Sequence, residues 1–182
     1  MTITEFSRLQ ARSIFFVISI MTTQQFTFEF TSYSDISELT SADQQLLAAA
    51  RKVTENAYAP YSNFYVGAII QLENGQTVPG TNQENASFPV GICAERTALS
   101  TASSLYPGVA IDTIAVSYNN HNGGKNDAPI SPCGICRQTI TEYENRQKKP
   151  IRIIMSGQRG NVYILKTAKH LLPFGFTAED ME

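Results

Sequence analysis

Apolar residues recur at helical spacing through "SADQQLLAAARKVTENAYA", beginning at Ser41, and Gln44 stands three residues later in the spacing of a capping box. A first helix and the start of the compact domain are therefore expected at residue 41. Upstream, residues 22–40 are polar apart from a Phe26, Phe28, Phe30 alternation that suggests an edge strand. "VGAIIQLE" and "QTVPGTNQE" flank Asn74-Gly75, a strong signal for a β-hairpin. A second helix runs from Cys93 to about Tyr106, where Pro107-Gly108 stops it. "IDTIAVSY" (111–118) reads as a strand, and "NNHNGGKNDAPIS" after it as a loop. A third helix is expected from Gly134 to about Asn145. The strands "IRIIMS" and "NVYILKT" follow, joined only by "GQRG". Four residues cannot carry a helical crossover, so these last two strands must be antiparallel. A short helix and the apolar tail "LLPFGF" close the pattern. The order α-β-β-α-β-α-β-β-α implies a mixed sheet covered by helices.

Length and composition narrow the class. With 182 residues, 42% hydrophobic and 16% charged, the chain suits one domain with a sizeable core. A net charge of −2 gives no electrostatic footprint for a nucleic-acid backbone or an anionic membrane, so a small neutral partner is expected. The apolar run "SIFFVISIM" (13–21) is too short to span a bilayer, and no small-residue cleavage site follows it. Residues 1–20 read as an over-extended start or an added segment ahead of Met21, with a weak export signal as the alternative, and 1–40 as an N-terminal extension to a domain over 41–182.

The chain's three cysteines change the picture most. Cys133 and Cys136 form a C-x-x-C pair, and Cys93 stands alone at the head of "CAERTALS". An odd count with two members in one motif is no secreted disulfide framework, which points to a reducing, cytoplasmic compartment. Both cysteine groups follow a loop and open a helix, where free N–H groups and the helix dipole favour thiolates. Three thiolates suit zinc and leave one tetrahedral position for water, the catalytic kind of site. A redox C-x-x-C would leave Cys93-Ala94-Glu95 unexplained. His121 and His170 lack ligand-like spacing and read better as a loop residue and a helix-terminal cation than as a fourth ligand. Glu95 is two residues from Cys93, and helical residues at that separation do not face each other. It is therefore placed beside the open position, not on the metal. This arrangement matches the zinc deaminases, in which a non-ligating glutamate is the general acid/base.

At this point the chain resembles the cytidine deaminase family. "CAERTA" and "PCGICRQ" match its two zinc motifs, with Cys93 where the larger dimeric members have histidine; "YSNFYVGA" (61–68), "GTNQENASFP" (80–89) and "LLPFGF" match three others in order. The likeness covers roughly residues 41–178. It implies a three-layer α/β/α fold with a mixed five-stranded sheet whose last two strands are antiparallel. It implies one Zn²⁺ per subunit on Cys93, Cys133 and Cys136, with Glu95 catalytic and Arg96 bonding the thiolates from behind. It places Asn82 and Glu84 on the ribose hydroxyls, Phe64 against the pyrimidine, the backbone at Ala86 facing the base, and Phe176 in a neighbouring subunit's site. The resemblance further implies a cytoplasmic homotetramer that deaminates cytidine and deoxycytidine in pyrimidine salvage, with neither nucleic acid nor membrane as partner. Two rivals stay open from the residues themselves: a related deaminase acting on a cytosine-containing antibiotic, and a zinc-stabilised interaction domain without catalysis. Asn82 and Glu84 favour the nucleoside over the first, and Glu95 argues against the second.

Overall fold

The computed structural model describes residues 22–181; the apolar run at 13–21 and the reading of 1–20 lie outside the described residues. Six strands and three α-helices alternate along the chain: β1 (Thr31–Tyr33), α1 (Ser41–Val53), β2 (Phe64–Leu72), β3 (Thr77–Thr81), α2 (Ala94–Leu105), β4 (Ile111–Asn120), α3 (Gly134–Gln147), β5 (Arg152–Ser156) and β6 (Val162–Leu165). They form one sheet in the order β1-β6-β5-β4-β2-β3. Only β4 and β5 run parallel, joined by the crossover through α3. As the short "GQRG" connection requires, β5 and β6 are antiparallel, with Ile154 opposite Ile164.

The strand interiors are buried on both faces, and their period-2 alternation sorts the core into two layers. Ala68, Ile70, Ile114, Val116, Ile153 and Met155 pack with Ala94, Ala98 and Leu99 of α2 and Ile140 of α3. The intervening residues Ile69, Ala115 and Ile154 point the other way, onto Leu46, Leu47 and Ala50 of α1. A three-layer α/β/α sandwich results, with both cysteine-led helices on the same face.

The sheet has six strands where five were expected. The additional strand, β1, pairs antiparallel with β6 at the sheet edge. Three residues are too few to display an alternation, so its signal was misplaced onto Phe26, Phe28 and Phe30, which precede the strand and are half exposed. Phe30 instead lays its ring on Tyr163 of β6 at 4.8 Å. Two smaller differences have local causes. The N-cap of α1 is Thr40, whose hydroxyl accepts from the Asp43 N–H, so the capping residue lies one position before Ser41. The closing helix is a pair of 3-10 turns, Ala168–Leu171 and Ala178–Met181. The Asn74-Gly75 hairpin forms as expected, with Gly75 in the left-handed region at φ 81°.

Helix α1 is tied to the sheet by Asp43, which is 5% exposed and receives both terminal guanidinium nitrogens of Arg152 at 2.7 and 2.5 Å. The Arg152 hydrogen bonds hold the Asp43 carboxyl below its ordinary 3.8. A carboxyl depressed in the folded state stabilises fully above its unfolded value, and that contribution is lost as pH falls through the folded one. Asp43→Asn should therefore cost about 2–3 kcal/mol at pH 7, the scale of a charge-assisted pair left half-broken. In urea titrations the deficit should shrink as the pH is lowered below the unfolded carboxyl value. An equal deficit at neutral and strongly acidic pH would mean that the ion pair is not its source.

Candidate active site

Cys93 and Cys133 are the N-cap residues of α2 and α3, both with extended backbone (φ −77° and −67°). Neither thiol takes a capping hydrogen bond, so both are free to face each other. Cys136 sits one turn into α3 and is fully buried, Cys93 is half-buried and Cys133 exposed. The three sulfurs lie within 4.8 Å of one another, and the Cys93 and Cys133 Sγ atoms are 3.7 Å apart. Tetrahedral zinc with Zn–S bonds of about 2.3 Å needs sulfurs about 3.8 Å apart. Spacing and donor type both fit that ion. Among the described residues no other group of three His, Cys, Asp or Glu side chains comes close enough to share a metal. The histidines pack elsewhere: His121 lies tilted against Tyr65 and His170 against Phe28.

The electrostatics are those of neighbouring thiols at two helix starts. The Cys93 thiol is lowered to about 6, first by Cys136 beside it and in smaller part by Cys133 and the positive charge of Arg96. Cys136 is raised, by that same bond and by burial. Glu95 is 4% exposed, and burial pushes its carboxyl up, against the smaller opposing pull of its own backbone N–H and of Cys136. The sequence-predicted group of Cys93, Cys133, Cys136, Glu95 and Arg96 is thus gathered at one end of the two helices.

Asn82, Glu84 and Phe64 lie together where β2 begins. Asn82 follows β3, and its amide bridges β2, accepting from Val66 N at 2.8 Å and donating to Phe64 O at 2.9 Å. One amide N–H of Asn82 is left over from that pairing. Glu84 Oε2 accepts from the backbone N–H groups of Tyr61 and Ser62 at 2.9 and 3.2 Å, while no bond engages Oε1. Burial opposes ionisation of Glu84, but the neighbouring Ser62 and the Tyr61 N–H outweigh it and leave the carboxyl below its ordinary value. Phe64 stacks on Tyr118, ring centroids 4.8 Å apart and planes 15° from parallel. Ala86 is exposed in the loop leading to α2. The Phe176 ring is not drawn into this protomer's core; it is 57% exposed.

The comparisons with known proteins agree with this geometry. Residues 40–149 match the family described as the cytidine and deoxycytidylate deaminase zinc-binding region. A cytidine deaminase from Halalkalibacterium halodurans is 37% identical over 138 residues, 76% of this chain and 96% of the relative. The chain belongs to the cytidine deaminase family. A second family member, from Sporosarcina psychrophila, is 37% identical over 76% of this chain and 93% of its own length. Among solved structures, the cytidine deaminase from Burkholderia pseudomallei superposes with a TM-score of 0.63 at 38% identity, covering 76% of this chain and all of that one.

Two residues to which the sequence reading gave no role stand out beside the cysteines. Arg137 follows Cys136 and spreads its guanidinium over the Pro132 carbonyl (2.8 Å), the Ser131 hydroxyl (2.8 Å) and the Leu171 carbonyl (3.1 Å). Gln138 exchanges two hydrogen bonds with the Phe176 backbone, at 2.7 and 3.1 Å. Their place beside a cysteine in the motif gives no sign of these roles, since the tail partners Leu171 and Phe176 are more than thirty residues away.

Proposed function

We propose that the chain is a zinc-dependent deaminase converting cytidine and deoxycytidine to uridine and deoxyuridine with release of ammonia. The observation that carries this reading is a buried carboxylate, Glu95, close to Cys93 and Cys136 in a group of three convergent thiols at metal-binding spacing. Cys93, Cys133 and Cys136 would hold one Zn²⁺, whose Lewis acidity makes water a nucleophile near neutral pH. Glu95 would take a proton from the attacking water as its oxygen bonds to C4, and pass that proton to N3 of the cytosine ring. It would then carry the proton of the new C4 hydroxyl to the amine as the C4–N bond breaks, leaving a carbonyl at C4 and releasing ammonia. Arg96 offsets the charge of three thiolates. The deaminase domain is 41–182, and the extension before it adds β1 to the sheet. A homotetramer in the cytoplasm, serving pyrimidine salvage, completes the proposal. Among the described residues no helix is long and apolar enough to cross a membrane.

The decisive measurement is ultraviolet monitoring of cytidine and deoxycytidine with zinc-loaded protein, paired with an ammonia assay on the same sample. Protein carrying one zinc per chain that releases no ammonia from either nucleoside would overturn the reading.

Sugar recognition falls to Asn82 and Glu84. The backbone N–H groups of Tyr61 and Ser62 fix one Glu84 oxygen and leave the other to accept a ribose hydroxyl, while a phosphate would be repelled. Glu84→Gln is expected to raise KM for cytidine roughly tenfold or more, because a charge-assisted hydrogen bond is worth about 1.5–3 kcal/mol. Zinc content should hold, and cytidine monophosphate should become a relatively better substrate. Unaltered nucleotide discrimination would remove Glu84 from the sugar site.

Phe64 would pack on the pyrimidine and the Ala86 backbone would face it. The exposed Phe176 ring would cover the base in a neighbouring subunit, a contact worth on the order of 1–3 kcal/mol by analogy with base stacking in single-strand binders. Phe176→Ala should then raise KM, and mixing it with Glu95→Ala subunits should restore some competent sites. Mixed tetramers that keep only the raised KM of Phe176→Ala would place Phe176 in its own subunit's site or in none.

A further inference from the structure

One face of α3 grips the C-terminal segment along its length. Cys133, Arg137, Thr141 and Glu144 recur at spacings of four, four and three residues, so they lie along one stripe of the helix. At the far end, the buried Glu144 carboxylate accepts from Ala168 N at 2.7 Å and from the Thr167 hydroxyl. In the middle, Arg137 holds the Leu171 carbonyl, and the turn closed by Gly175 N to Leu172 O lies against the Thr141 side chain. Next to it, Gln138 clasps the Phe176 backbone in both directions, as a neighbouring strand would. At the near end the helix begins on Cys133 and Cys136. The same Arg137 guanidinium that holds Leu171 also holds Ser131 and the carbonyl of Pro132, the residue before Cys133.

We propose that Arg137 and Gln138 are positioning residues that couple the thiolate site to the C-terminal tail, so that metal binding orders residues 171–176 and presents Phe176. The inference rests on the reading of the three thiols as a metal site. The physical basis is one rigid planar fork bridging two chain segments. Fixing Cys133 and Cys136 on a metal fixes the Pro132 carbonyl and the first turn of α3, and Arg137 then has one position from which to hold Leu171. Gln138, on the same turn, sets Phe176. With the cysteines unligated, the 131–133 loop is released and the fork loses two of its three acceptors. Coupling of this kind is reciprocal: whatever factor metal adds to tail order, the ordered tail adds to metal affinity.

Hydrogen exchange followed by mass spectrometry on the full chain, zinc-loaded and after chelation, reads the tail amides of Leu172, Gly175 and Phe176 directly. Chelation is expected to speed their exchange roughly 5- to 150-fold, the usual range of coupling between two sites. In zinc-loaded Gln138→Ala the Phe176 amide should exchange as fast as in the chelated parent. By reciprocity its zinc affinity, measured by chelator competition, should fall within the same range. Arg137→Ala should leave tail exchange fast whether or not metal is bound; if that variant does not fold, the Gln138→Ala comparison decides alone. Tail exchange indifferent to chelation, in protein shown by metal analysis to gain and lose zinc, would overturn the coupling and leave the deaminase reading intact. Protein that never takes up zinc would overturn both.

Discussion

Glu95→Ala will retain one zinc per chain and lose at least ~10⁴-fold in kcat, the upper end of what a single general acid–base group contributes. The metal should stay because three thiolates hold it: Cys93, Cys133 and Cys136 already have metal-binding spacing without any oxygen donor. The activity should go because hydrolytic deamination requires a proton to leave water, reach N3 and then reach the departing amine. No other carboxylate lies in either zinc motif to carry it. Glu95 is also 4% exposed, so bulk water is poorly placed to substitute for it as a proton carrier. Metal analysis and ammonia release on one preparation distinguish the outcomes. Loss of zinc together with activity would make Glu95 a ligand or a structural support. Activity within about tenfold of the parent would overturn the mechanism, since that is below the range expected of such a group.

The thiol site was legible in the sequence because its signals are local and chemically unusual. Cysteine occurs three times, each time at or just inside a helix start, and the reading of Cys93 and Cys133 as helix-leading residues is matched by their N-cap positions. The Asn74-Gly75 turn and the antiparallel β5–β6 pair were legible for a similar reason, because a dipeptide or a loop length constrains them almost alone. The elements that escaped depend on distant partners. β1 is only three residues long and exists because β6 offers an open edge, which no window of sequence around Thr31 reveals. Arg137 and Gln138 look like ordinary surface residues of a helix until Leu171 and Phe176 are folded back onto them. The motif that holds Asn82 suggests a place in a pocket. That its amide also closes the end of β2 on Phe64 and Val66 required the register of the hairpin.

Gly80 illustrates the same limit and has the largest expected effect on the fold. Within "TVPGT" it reads as a weak point in a strand or a neighbour of the hairpin. Its backbone angle is not in the left-handed region, so conformational freedom is not why glycine is there. Space is the reason. A Cβ at residue 80 would stand 2.4 Å from both the Ala94 carbonyl oxygen and the Ala98 nitrogen, and 2.7 Å from the Ala98 Cβ. These are backbone atoms of the first turns of α2 and a side chain with no freedom to turn away. Gly80→Ala must therefore push α2 off the sheet by roughly 1 Å. Overpacking a core ordinarily costs about 1–3 kcal/mol, and here the neighbours that must yield are a helix backbone, so a loss at or above 3 kcal/mol is expected. The displaced turn carries Cys93 at its N-cap and Glu95 in its first turn, while Cys133 and Cys136 ride on α3 and do not move with it. The thiol triangle should open along the Cys93 edge, and zinc affinity should fall along with stability. Urea denaturation with zinc and with chelator separates the two effects. The parent should be stabilised by added zinc, and Gly80→Ala should be both less stable in chelator and less responsive to zinc. A variant that unfolds earlier but regains the parent's full zinc increment would show that α2 shifts without carrying Cys93 out of register.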